Sequence, residues 1–389
     1  MKKFFTHKES PAQTENTPAG FSVGAMVISL VLTAGLLWLL LPHAGGSLAA
    51  TQTNVGIMDK FDRYVANNIM VEMGSKVGME VKQSYWLSDS DMVAPEPDQA
   101  AFGQAEDPAS LQWLLDDAAE LLNGQKTLFT TETPIKEGST IHYYLDDTIF
   151  AVTWKQIVNN CVYTFSEVKI AHASQFRRFL SEGQYGSGVL HTTTEMSASV
   201  NAVVASAADY YSYRRGGVVV NNGIIYRSEG TTFLDTCFIN DEGDLLFATR
   251  GKLKDKAAVE QFVEENNVRF TICFGPLLLL DGEYCAPPTY SLGEITENFP
   301  RAALCQMDQL HYVLVAANME DHYYGRPSIS SFAKSLQAMG IPTAYTLDGG
   351  QTATIVMNDQ LINTVSYGSE REISDIIYFA TAIPGNPAQ

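Results

Sequence analysis

From Thr140 onward the chain repeatedly alternates apolar and polar positions over short runs, the two-residue period of half-buried strands. Ile141 to Trp154 alternates aromatic and polar residues about a turn at Asp146-Asp147. Val162 to Ile170 reads as a further strand, and Ser174 to Leu180 as the helix after it. Val218–Val220 and Ile224–Tyr226 flank Asn221-Asn222-Gly223, residues that suit a positive-φ hairpin turn. Cys237–Asn240 and Leu245–Ala248 flank Asp241-Glu242-Gly243-Asp244 in the same way, and a plain hairpin turn is favoured there over a calcium loop because the EF-hand spacing is absent. Helical spacing predicts helices over Leu111–Leu122, stopped by Asn123-Gly124, over Ala257–Glu265, and over Ile329–Met339, stopped by Gly340 and Pro342. Three short strands follow at Thr343–Leu347, Thr352–Met357 and Leu361–Val365. The pattern predicts an α+β fold: one mixed, mainly antiparallel β domain with flanking helices over 125–385, preceded by one transmembrane helix.

That helix is expected at Phe21–Leu41, 21 residues without a charge. As an α-helix it spans roughly 31 Å, close to the hydrocarbon thickness of a bilayer. Lys2, Lys3 and Lys8 precede it, so residues 1–20 are expected as a cytoplasmic tail and the rest of the chain as extracellular, tethered to the cell membrane by a single pass. A cleaved signal peptide is the rival reading, with Ser47-Leu48-Ala49 as its small-x-small site, but the apolar run is longer than a signal core needs. Residues 42–124 read as a linker and helical lead-in, with an amphipathic helix over Met58–Met73 and an acidic, Pro-rich loop over Ser88–Pro108.

Composition narrows the function classes. The chain has 389 residues and a net charge of −19, with no extended basic patch, which argues against a nucleic-acid partner. Its five cysteines, Cys161, Cys237, Cys273, Cys285 and Cys305, form no Cys-x-x-Cys pair and so give no support to structural zinc. Cys273 with Cys285 is the one bridge worth naming, and small buried hydrophobes are the favoured reading. The chain lacks Gly-x-Ser-x-Gly, His-Glu-x-x-His, P-loop and dinucleotide-binding motifs. No cofactor is predicted, and a divalent metal has no supporting ligand set.

The chemistry-bearing candidate is Ala344 to Met357, AYTLDGGQTATIVM. An apolar strand ends in Asp348, which puts a carboxylate at the rim of a rigid sheet. Gly349 and Gly350 permit a sharp turn and a close ligand approach, their N–H groups can cradle an anion, and Thr352 adds a hydroxyl. A simple Asp-Gly-Gly hairpin turn explains the same residues.

Leu347-Asp348-Gly349-Gly350-Gln351-Thr352 resembles the Leu-Asp-Gly-Gly-(Gly/Gln)-(Ser/Thr) motif of the phosphodiester glycosidase family. Three more segments match in order: Asn201-Ala202 leading to Asp209-Tyr210-Tyr211, Pro300-Arg301-Ala302-Ala303, and Arg371-Glu372-Ile373-Ser374-Asp375. The collinear resemblance runs from about Val162 to Phe379. It departs from the family at Ala207-Ala208, where Asn-Gly is usual, at Ala302 in place of Thr, and at Ala317-Asn318-Met319 in place of Asp-Gly-Arg.

The resemblance implies hydrolysis of a sugar-1-phosphodiester at the anomeric carbon, with a glycan or sugar phosphate of the envelope or an exopolysaccharide as substrate. It implies Asp348 as acid/base or nucleophile, Asp209 as a second carboxylate, Arg301 as phosphate clamp and Arg371 as a weaker second. Arg371 with Asp375 equally fits a surface ion pair at helical spacing. Tyr211 and Tyr324 are candidate sugar-facing aromatics. The missing Asp-Gly-Arg and Asn-Gly leave open a non-catalytic phosphoglycan-binding domain or a cell-surface scaffold.

Overall fold

The structure, a computed structural model, describes residues 93–229, 233–290 and 297–383. The expected membrane span at 21–41, the tail at 1–20 and the helix at 58–73 lie outside those residues. Among the described residues no helix is long and apolar enough to cross a membrane.

The fold is a mainly antiparallel β domain with few helices. Its largest sheet has nine strands in the spatial order Phe102–Ala105, Ile141–Leu145, Ile149–Val158, Cys161–Ile170, His311–Asn318, Arg301–Asp308, Thr343–Leu347, Leu277–Leu280 and Glu283–Tyr284. Every neighbouring pair in it is antiparallel. A five-stranded sheet is centred on Val204–Ala207 and Asp375–Phe379, and a three-stranded sheet on Thr236–Asn240.

The central sheet is covered on both faces, which is why its inner strands read as nearly unbroken apolar runs. Alternate side chains serve two cores. Ala303, Cys305, Val313 and Val315 join Trp154, Phe165 and the helix at Ile329–Ala338 on one face. Ala302, Leu304, Tyr312 and Leu314 meet Val204, Ile239 and Ile377 of the smaller sheets on the other.

Local signals hold at several corners. Asn123 caps its helix in the left-handed conformation at φ 48°. Asp146 closes its turn by accepting the Thr148 and Ile149 N–H groups at 2.7 and 3.0 Å. The Asn222-Gly223 hairpin forms between Val218–Asn221 and Ile224–Ser228. The acidic turn after Asn240 is a hairpin in which the Asn240 side chain accepts the Glu242 and Asp244 N–H groups. Ser328 caps the Ile329–Ala338 helix by accepting the Ser331 N–H.

Three expectations are corrected. The helix expected over Ser174–Leu180 is a 3-10 turn at Ala173–Gln175 followed by a strand, Phe176–Leu180, paired with Asp375–Phe379. The strands expected at Thr352–Met357 and Leu361–Val365 shrink to Val356–Met357 and Gln360–Leu361, because the chain after Asp348 folds into a 3-10 turn over Gly350–Thr352. The described part of the expected lead-in is integral to the domain: Phe102–Ala105 is an edge strand, and Leu111, Leu114 and Leu122 enter the main core. All five cysteines are free and four of them are buried, as the favoured reading of small buried hydrophobes expects, and Cys273 and Cys285 form no bridge.

Candidate active site

Strand register brings the key groups together. Ala302 stands opposite Leu347 on neighbouring antiparallel strands, so Arg301 and Asp348 lie side by side where those strands end. The backbone N–H of Asp348 donates to Ala208 O at 3.1 Å, which ties this corner to the end of the Val204–Ala207 strand and hence to Asp209. Gly349 is required by proximity: a Cβ there would sit 2.6 Å from Pro300 O. The Gly350 N–H donates to that same oxygen at 2.8 Å. Both glycines therefore serve the turn against the 300–301 segment. The anion cradle expected from their N–H groups is not formed at Gly350, whose donor is already used.

Asp348 opens onto a cavity of about 460 Å³. Its walls include Tyr210, Phe274, Phe299 and Tyr367 as aromatics and Arg301, Arg326 and Arg371 as cations. Asp348 is the one carboxylate among the described lining residues. A cavity with three guanidiniums to one acid is a local reversal of the chain's −19 net charge.

The Arg371 guanidinium donates to Asp348 Oδ2 at 2.5 Å. Arg371 in turn lies over the Tyr213 ring, 5.8 Å from its centre. Burial pushes the Asp348 carboxyl up to about 7; the Arg371 charge and bonds from the Thr352 hydroxyl and Gly349 N–H oppose the shift, and Asp209 adds a smaller push upward. Arg301 is buried, its Nε donating to Pro327 O at 3.3 Å and its Nη2 to Glu297 O at 2.6 Å.

Asp209 does not line the cavity. It is fully buried behind the wall, where its two oxygens accept from both terminal nitrogens of Arg214, from the Tyr210 N–H at 2.5 Å and from the Cys273 N–H at 2.9 Å. Burial alone raises its pKa, but the Arg214 charge and hydrogen bonds, Arg178 and the Cys273 N–H together hold the carboxyl below the usual range. The second catalytic carboxylate expected at Asp209 is thus corrected to a buried, ionised group with its acceptor sites taken.

Residues 196–380 match the family model for phosphodiester glycosidase. Among solved structures the chain is similar to the zebrafish N-acetylglucosamine-1-phosphodiester alpha-N-acetylglucosaminidase catalytic domain auto-inhibited by pro-peptide. That similarity is 16% in sequence identity at a TM-score of 0.49, over 67% of this chain and 92% of that one. A hypothetical protein from Synechocystis is similar at 14% identity and a TM-score of 0.44, over 64% of each chain. No curated protein matches.

The other expected site residues divide between cavity and frame. Tyr211 is buried, stacked on Tyr185 with Arg178 over its ring, so the sugar-facing role expected of it is corrected to packing. Thr352 is buried too, its hydroxyl 2.8 Å from Gly349 O and beside the Asp348 carboxyl, so it braces the turn under Asp348 and does not line the cavity. The Arg371–Asp375 ion pair is not formed. Arg371 pairs with Asp348, while Asp375 lies on a strand and pairs with Arg178 at 2.7 Å.

Three functional residues escaped the sequence reading. Arg326 brings to the cavity a guanidinium that Ala317-Asn318-Met319 does not supply, and its sequence signal is only an arginine between Gly325 and Pro327 in a loop. Arg214 fixes Asp209 from five residues downstream, a short spacing that an acid–base pairing scan would have found. Arg178 lies in a segment whose pattern reads as a helix but which forms a strand, and its signal is hidden there.

Proposed function

We propose that the domain hydrolyses glycosyl phosphodiesters at the anomeric carbon, acting on envelope glycans or exopolysaccharide. The single observation that carries this reading is Asp348, the one carboxylate among the described lining residues, its pKa lifted to about 7, in a cavity bounded by three guanidiniums and four aromatic rings.

The chemistry follows from those parts. The aromatic side of the cavity takes the sugar ring, and Arg326 takes the phosphate, whose growing charge on departure is also favoured by the nearby Arg301 and Arg371. Asp348 accepts a proton from water as the water oxygen bonds to the anomeric carbon. The bond from that carbon to the phosphate oxygen breaks, its electron pair leaves with the phosphate, and a phosphomonoester is released. Phosphate leaves without a proton, so one carboxylate suffices where an ordinary glycosidase uses two. Asp209, through Arg214 and the Ala208–Asp348 backbone bond, holds the corner in place.

The full-length chain in detergent, incubated with α-GlcNAc-1-phosphodiesters in ¹⁸O-water, should place the label in the released sugar. Label in the phosphate would indicate attack at phosphorus and overturn the assignment. Ligand binding with no turnover would favour a phosphoglycan-binding domain, a reading to which the burial of Asp209 lends weight.

The pH profile gives a second check. A base works ionised, so kcat/KM should rise with pH through about 7 and then level. Arg371 opposes protonation of Asp348, so Arg371→Gln should move that rising limb to higher pH. A limb that stays in place would remove Asp348 as the titrating base.

We further propose that residues 21–41 anchor the protein in the cell membrane with the domain outside. Protease accessibility of the domain on intact cells, with the chain remaining in the membrane fraction, tests this placement.

A further inference from the structure

Beside the Asp348 cavity lies a second hollow of about 420 Å³, lined by Asn159, Asn298, Tyr324, Arg326 and Ser331 among others. Arg326 lines both. The chain segments forming the shared wall are the same, since Asn298 precedes Phe299 and Arg301 bonds to Pro327 O. A third hollow, of about 550 Å³, shares Asn159 and Ser331 with the second and continues over the face of the Ile329–Ala338 helix to Lys334 and Met339.

The middle hollow has a rigid floor. Gly325 donates its N–H to Asn160 O at 2.6 Å, and a Cβ at 325 would collide with that oxygen. Asn159 and Asn160 themselves hold the tight turn, with φ of 50° and 60°. On its other side the loop is closed by reciprocal backbone bonds between Glu320 and Tyr323 and pinned by ion pairs from Lys155 to Glu320 and Lys136 to Asp321, at 2.8 and 2.7 Å. Yet Tyr324, on this clamped loop, is 69% exposed. An aromatic ring held out to solvent by a fixed backbone is a preorganised platform for a flat apolar face, such as that of a pyranose.

Charge fixes the direction. Arg371 is engaged by Asp348, and Arg301 by two carbonyls. The described hydrogen bond of exposed Arg326 goes to the Met319 thioether, a weak acceptor, which leaves guanidinium donors for an anion. A phosphate at Arg326 puts the sugar being cleaved on the Asp348 side and the leaving group in the second hollow. Arg326 is the one charged residue among the described residues of that hollow; amides and hydroxyls of Asn159, Asn298 and Ser331 complete a lining suited to neutral polyols.

Resting on the proposed hydrolysis, we infer that the second and third hollows are leaving-group subsites for an extended glycan, so that the substrate is a polymer of sugar phosphates cleaved at internal linkages. Tyr324 stacks on the first sugar beyond the scissile phosphate. Lys334, at the far end, meets the charge of the next repeat.

The test uses the full-length chain and GlcNAc-α-1-phosphate probes: the methyl diester and oligomers of one, two and three repeats. kcat/KM should rise at least about tenfold from the methyl diester to the longer oligomers, mainly through KM, and Tyr324→Ala should lower the long-to-short ratio by about tenfold. Equal efficiency across the series, or a ratio untouched by Tyr324→Ala, overturns the inference while leaving the hydrolysis intact. Should no probe be cleaved, the hydrolysis fails, and calorimetry on the same chain still decides the subsites. Oligomers must then bind more tightly than the methyl diester, with the advantage lost in Tyr324→Ala; equal affinities sink the proposal.

Discussion

Asp348→Asn is expected to lower kcat by roughly 10³-fold, within the range that removing a general base produces. The substitution keeps shape and volume, so the loss should appear in kcat with KM little changed. The same variant has a stability signature that an inert site would lack. The fold raises the Asp348 pKa from an ordinary carboxylate value to about 7, so the native state holds its proton more tightly than the unfolded chain does. Stability associated with this group is therefore fully present below the unfolded pKa, declines as pH rises from about 4 to 7, and is flat above. Asparagine does not titrate. The melting temperature of Asp348→Asn, relative to the wild type, should climb across that window and then level. A difference that is constant with pH would show that Asp348 titrates normally.

The second large effect is expected in the frame behind the cavity. Arg178 is fully buried, donating from Nε to Asp375 at 2.8 Å and from Nη1 to Thr271 O at 2.6 Å, with Asp209 3.7 Å from its Nη2. Arg178→Met leaves two buried carboxylates without their common cation and should destabilise the domain by about 3–5 kcal/mol, read from urea unfolding. Adding Asp375→Asn to Arg178→Met removes one stranded charge and should recover part of that loss. If the double variant is no more stable than Arg178→Met, the network is not what holds these strands. The two effects are separable, since the first removes chemistry with the fold retained and the second loosens the support beneath it.

Much of this arrangement is legible in the sequence, because short-range rules determine it. The Asn222-Gly223 and Asp146 turns, the Asn123 stop and the unbroken apolar strands each reflect one residue's backbone preference or one local period. The corner at Asp348 is legible for the same reason: an apolar strand running into an acid and two glycines has few ways to continue. Phe176–Leu180 reads as a helix because Phe176, Phe179 and Leu180 also fit a helical stripe. What makes it a strand is the partner strand at Asp375–Phe379, about 200 residues away, where Arg178 finds its carboxylate. The side on which Asp209 faces is hidden in sequence too. A motif fixes its position in the chain, whereas Arg214, Arg178 and the Cys273 N–H together decide that it points inward. Arg326 reaches the cavity only through a loop clamp at Asn160 that no local pattern announces.

Arg301 and Asp348 stand next to each other because two adjacent strands are hydrogen-bonded in a single register, and that spacing is fixed by main chain through the middle of the molecule. Tyr324, by contrast, rides on an outer connection, where its exposed ring can be exchanged without disturbing that ladder. Reactivity and preference are consequently written into different parts of the polypeptide. A laboratory selection confined to position 324 should alter preference long before it harms the bond-breaking step.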